Sequence, residues 1–314
     1  MRWFILFLLS ALAPLNAQTR TSPARASLTN VWVQEPVRIW YATQGEHAVR
    51  SSDENQNDTP DQVEDIMTQT KSALLLWKSL GFPDPFKTAR YQGVTWLDIH
   101  LLSKETLKMN GVAFDEIQRF KRPGDPEGTG SLCFNVATSV NATENLTPAH
   151  EVFHLIQNSV CYFKNRWFTE GTARWSERAL GKGALPEGLR PSHWPPDETA
   201  MASIYAGAYD TALSYWSPLL AKCDSSDSLP QASLSKELLD TRYVNGEAVF
   251  KDLTLCGWEL IRDLLAALDN ADDLVFANRQ LTRWSEEEQF STANNEIIHG
   301  VVLEVAAKRT AVKR

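Results

Sequence analysis

Thr147–His154 reads TPAHEVFH and Trp167–Glu177 reads WFTEGTARWSE; if both are helical, the chain has to bring the two helices together. In the first stretch Thr147 suits a helix N-cap and Pro148 the first helical position. Residues four apart on a helix share a face, with Cβ atoms about 5–6 Å apart. His150 and His154 therefore aim two imidazoles at one point. Glu151 stands beside them, where a carboxylate can take a proton from water held at a bound ion. A metal that keeps one position open needs a third protein ligand. In the second stretch Glu170, Arg174 and Glu177 line one side of a helix, with Trp175 and Ala179 left to pack. Glu170 can complete a His, His, Glu set. Glu177 is expected to orient a ligand or to pair with a cation rather than to bind the metal.

Together HEVFH and EGTARWSE resemble the HExxH and EGxAxxxE stretches of gluzincins, a group that includes zinc aminopeptidases. The resemblance implies a zincin-like domain that hydrolyses peptide or protein substrates. It also implies a catalytic zinc on His150, His154 and Glu170, with Glu151 as the general base. Attack on an amide builds an oxyanion that needs a donor besides the metal. Tyr209–Leu219 (YDTALSYWSPL) resembles the helix that starts with the catalytic tyrosine of those aminopeptidases, which makes Tyr209 the first candidate and Tyr205 the alternative. Their GxMEN motif, which recognises a free substrate amine, has no counterpart upstream of His150. That favours an endopeptidase, with Cys133–Ala137 read as an edge strand along which an extended peptide lies. Three alternatives stay open: a binding protein that keeps the fold without turnover, a zinc hydrolase of a small molecule or glycan, and a surface adhesin stapled by disulfides that binds no metal.

A second cation site is expected upstream. Asp53, Asn55, Asn57, Thr59, Asp61 and Glu64 occupy positions 1, 3, 5, 7, 9 and 12 of an EF-hand-like loop for calcium. Asp58 stands where glycine is usual, and Pro60 at the usual apolar position. The other reading of 53–64 is a solvated turn that caps the next helix. DENQNDTPDQVEDI, followed by a helix, LGFPDP and a strand, resembles the DxNxNGxPDxVE region of an uncharacterised group of secreted bacterial metalloproteases. The two resemblances together cover about Asp53 to Leu219 and name no substrate.

Arg2, an apolar run from Trp3 to Ala13 and small residues ending at Ala17 read as a signal peptide over 1–17, cleaved after Ala17 or Ala13. The run is shorter than the roughly 20 residues that span a bilayer, so the expectation is a secreted or periplasmic protein with no stable membrane insertion. Cys133, Cys161, Cys223 and Cys256 are an even set in an exported chain. Pairs 133–161 and 223–256 are expected among three possible connectivities, with a free, buried pair as the other reading. The net charge of −8, with no clustered Lys and Arg face, argues against a nucleic-acid partner.

With 314 residues, 43% of them hydrophobic, the chain can bury a sizeable core. Ala24 to about Ala42 reads as one extended segment, and 18–50 as an N-terminal piece ahead of a domain over 51–314. Helical spacing runs from Asp61 to Leu80 and ends at Gly81. Val94–Leu102 and Ser131–Thr138 read as strands, and Gly111–Gly130 as a loop or loose hairpin. After Thr147 the pattern is helical. Strands first and helices after predict an α+β fold, a small N-terminal mixed sheet followed by a mainly helical half.

Overall fold

Alternating apolar residues build the sheet. In the computed structural model, which describes residues 19–181, 196–223 and 228–312, five strands line up in the order β1 (Asn30–Gln34), β2 (Val37–Tyr41), β3 (Val94–Leu102), β5 (Gly130–Ala137), β4 (Gly111–Gln118). The β2/β3 and β3/β5 pairs are parallel, and β1/β2 and β4/β5 antiparallel. Val37 and Ile39, Leu97, Ile99 and Leu101, and Leu132, Phe134 and Val136 all point to one buried face. The expected signal peptide lies outside the described residues.

Helices cover that face. They are α1 (Asp61–Ser79), α2 (Thr147–Val160), α3 (Arg166–Ser176), α4 (Glu198–Ala206), α5 (Ser217–Cys223), α6 (Trp258–Asn278) and α7 (Asn294–Val312), with shorter turns between them. All described strands precede residue 138 and α2 starts at 147, so the α+β order holds. Trp77 of α1, Phe153 of α2 and Trp175 of α3 meet with ring centroids 5.1–5.8 Å apart. This aromatic knot fixes the three helices against one another, at separations where aromatic pairs attract.

Three expectations change. The extended segment Ala24–Ala42 is a short helix, Pro23–Ala26, followed by the β1/β2 hairpin. β1 and β2 lie in the same sheet as β3, β4 and β5. The 111–130 stretch contains a strand, β4, whose pairing to β5 shifts register between Phe114 and Gln118. That irregularity hides its alternation. Since β4 takes the edge, Cys133–Ala137 is an inner strand, paired on both sides, and cannot receive a peptide.

The disulfide expectation is corrected as well: no disulfide is present among the described residues. Strand alternation turns Cys133 to the sheet face opposite the helices, where its Sγ lies 3.4 Å from His100 Nδ1. Cys161 sits in the main core at the end of α2, and Cys223 and Cys256 are also buried there. The sheet therefore separates the first expected pair. Cys133 shares its face with Arg38, which is bidentate to Asp98 (2.7 and 3.1 Å) and bonds Asp125. No described helix is long and apolar enough to cross a membrane.

Candidate metal centre

The start of α2 is held by side chains from elsewhere. Leu146, not Thr147, is the N-cap; Asn145 Oδ1 accepts from the Thr147 backbone N–H at 2.9 Å, and Gln69 of α1, fully buried, accepts from Ala149 N–H at 3.1 Å. These acceptors satisfy amides that a helix start leaves without partners.

His150 and His154 project from one face of α2 toward Glu170 of α3. Glu170 Oε2 lies 3.4 Å from His150 Nε2 and 3.6 Å from His154 Nε2. Among the described residues this trio is the one group of three or more His, Cys, Asp or Glu whose ligand atoms converge, all within 4.8 Å. Two ligands each about 2.0–2.1 Å from a tetrahedral ion stand about 3.3–3.4 Å apart. The carboxylate-to-imidazole separations therefore fit a shared ion with little adjustment.

The far nitrogens are spoken for. His150 Nδ1 lies 2.9 Å from Glu177 Oε1, and His154 Nδ1 2.8 Å from Gln157 Oε1. Carboxylate and amide oxygens only accept, so with each Nδ1 carrying the proton each Nε2 has a lone pair that could face an ion. Gln157 also donates to Thr169 O (2.9 Å) and Thr172 Oγ1 (2.6 Å) on α3, which locks the two ligand-bearing helices in register. Sequence reasoning missed Gln157, although its place three residues after His154 was a signal.

His150 and Glu170 act on each other's protonation. Burial opposes charge on His150, but hydrogen bonds to Glu170 and Glu177 outweigh it and push its pKa up to about 10. Burial likewise opposes the charge on Glu170, yet the two imidazoles hold its carboxyl well below the usual range. A divalent cation can replace those protons, since ligand histidines must be neutral.

Glu151 is 4% exposed, and its Oε2 has no hydrogen-bond partner. Burial pushes its carboxyl up; His154 and His150 pull it down, and a hydrogen bond from the Ala113 backbone on β4 helps them. β4 is anchored in turn by Asp115, whose carboxylate meets Arg90 Nη2 at 2.5 Å and Lys164 Nζ at 3.3 Å. Among the described residues the outer edge of β4 pairs with no other strand. Just past its end, Thr19 N–H donates to Arg119 O at 2.8 Å.

Tyr209 packs against His150, ring centroids 5.5 Å apart, and its hydroxyl donates to Glu177 Oε1 at 2.7 Å. Burial and Glu177 both raise its pKa. Tyr205 lies elsewhere, with its hydroxyl 3.3 Å from His299 Nδ1 and its ring against Trp167.

The six expected calcium residues form one loop closed by its own bonds. Asp53 accepts from the Asn57 and Asp58 amides (3.1 and 2.9 Å), Asp61 from the Glu54 amide (3.0 Å), and Asn55 and Asn57 each meet Glu64 at 2.8 Å. Thr59 N–H bonds Asn57 Oδ1, and Asp58 takes the left-handed conformation, φ 65°. Comparison with known protein families, curated proteins and solved structures finds no match to this chain.

Proposed function

We infer that this chain is an exported zinc-dependent peptidase that cuts within peptide or protein substrates. The observation that carries the reading is the convergence of His150, His154 and Glu170, with both Nδ1 atoms bonded to oxygen acceptors and a buried, half-unpartnered Glu151 alongside. Two imidazoles and one carboxylate with an open fourth position make up the donor set of hydrolytic zinc. A bound zinc supplies Lewis acidity to the scissile carbonyl and lowers the pKa of water. Glu151 then does the proton work: Oε2 accepts the proton of the attacking water, and the protonated carboxyl delivers it to the leaving amine. Burial suits both halves of that task, because a raised pKa makes the acid form easier to reach. The open edge of β4, next to Glu151, offers main-chain donors and acceptors to an extended substrate, which supports cutting within chains. The 53–64 loop keeps a calcium role as a secondary proposal.

The test is zinc content per chain with turnover of a peptide library, comparing wild type with Glu151→Gln, His154→Ala and Glu170→Ala. Wild type is expected to hold about one zinc per chain. Glu151→Gln should keep the zinc and lose at least about 100-fold in kcat, while the two ligand variants lose the metal. Zinc-loaded wild type that cleaves no peptide would favour the binding-protein reading, and cleavage of non-peptide substrates alone the small-molecule one.

A further inference from the structure

We propose that Tyr209 and Arg174 are positioning residues that clamp Glu177 against His150 and thereby strengthen metal binding; Tyr209 is not the oxyanion donor its sequence context suggests. The inference rests on the metal reading above.

Glu177 lies in the helical turn after α3, with a buried carboxylate that takes three donors. Oε1 accepts from His150 Nδ1 at 2.9 Å and from the Tyr209 hydroxyl at 2.7 Å. Oε2 pairs with Arg174 Nη1, and the same Nη1 donates to the Tyr209 oxygen at 3.1 Å. The Arg174 guanidinium also stands 4.7 Å from the Tyr209 ring centroid. Tyr209 is thus gripped from above by a cation and bonded at its tip to a carboxylate.

Two consequences follow from imidazole geometry. Nδ1 and Nε2 lie on different edges of the ring; Nε2 faces Glu170 and the metal position. A hydroxyl bonded to the acceptor of Nδ1 is therefore directed to the far edge of His150, while an oxyanion forms on the near one. To donate there, the hydroxyl would have to leave Glu177 and lose a charge-assisted bond. Second, a carboxylate with one oxygen on Arg174 and the other shared with Tyr209 is fixed in rotation, so its remaining lone pair points at Nδ1. The His150 ring is then preorganised with Nε2 toward the ion, and a negative acceptor makes it a better ligand. The tilted contact between the Tyr209 and His150 rings adds to the restraint.

Tyr209→Phe keeps the ring and removes the hydroxyl. The experiment measures zinc affinity by competition with a chromophoric chelator, together with kcat at saturating zinc and the melting temperature of the metal-free protein. Partners beyond the ligands are worth about 10–100-fold in metal affinity, and Tyr209, 46% exposed and one bond further out, belongs at the low end. The expected result is zinc affinity weakened about 10-fold, a similar loss in Arg174→Met, and zinc-saturated kcat within about threefold of wild type. Glu177→Gln should weaken zinc at least as much. If Tyr209→Phe binds zinc like wild type and loses about 100-fold or more in kcat, the hydroxyl is an oxyanion donor and the clamp is overturned. Wild-type zinc affinity and kcat in that variant would likewise overturn it. A folded wild type that takes up no zinc removes the metal reading itself, an outcome read on a different protein from the variants.

Discussion

Gly111 has no Cβ, and Glu151 occupies the space one would take. A Cβ built there would stand 2.5 Å from Glu151 Oε1 and 2.5 Å from Thr147 Cγ2. The methyl group of Gly111→Ala must therefore push Glu151, the helix start or β4. We expect about 1–3 kcal/mol of lost stability, as for other insertions into packed space. Turnover should fall about 10-fold or more, since small displacements of a reacting group cost heavily, with zinc content unchanged. Thermal melts and kcat on zinc-loaded protein check this, and wild-type kcat would mean that Glu151 has room to rearrange. His150, Glu151, His154 and Glu170 are legible in the sequence because helix geometry converts spacing into proximity. Gly111, Ala113 and Gln69 are not, because they reach the site from β4 and α1, and the contacts of Tyr209 depend on where it enters.

The connection from α2 to α3 is only five residues, 161–165, so its geometry sets how His154 meets Glu170. Asp272 of α6, nearly fully buried, accepts from the Tyr162 N–H in this connection at 2.6 Å. Burial pushes its carboxyl up to about 7; the Tyr162 bond resists, and Asp269 and Asp273 add to the rise. An unfolded Asp titrates near 3.9. Between those values the native state holds more protons than the unfolded one, so this group makes stability fall as pH rises from about 4 through about 7. Asp272→Asn keeps an oxygen acceptor and cannot ionise. Its melting temperature should exceed that of wild type at pH 8, and the gap should narrow toward pH 4. Melts across that range test the idea, and a gap independent of pH would rule out the titration. Lys164, in the same connection, is buried with its pKa lowered to about 8, against the pull of Asp115, so electrostatics on both sides of this link are finely set.

At the scale of the molecule, a metal held by His150, His154 and Glu170 would be one of several ties between α2 and α3. Gln157 joins them by two hydrogen bonds, and the Trp77, Phe153 and Trp175 knot packs beneath. The fold should therefore survive removal of the ion. A ligand at about 1,000 times its Kd contributes about 4 kcal/mol, so chelation is expected to lower the melting temperature by several degrees and to leave the far-UV circular dichroism unchanged. Loss of helical signal on chelation would show that the metal is a folding requirement.

Of the fold, the order of strands before helices and the positions of α1, β3, β5 and α2 could be read directly, since each is a local pattern long enough to state its own period. β4 could not, because its irregular pairing breaks the alternation and its Gly and Pro neighbours read as loop. By itself, then, the sequence determined the helix that carries two imidazoles, the glutamate that completes their set and the class of fold around them, all through separations of a few residues. The tertiary structure alone decided three other things: which strand lies at the open edge, that a sheet stands between Cys133 and Cys161, and that the Tyr209 hydroxyl turns to Glu177. Those depend on contacts between residues far apart in the chain, where strand order and packing, not local spacing, fix the distance.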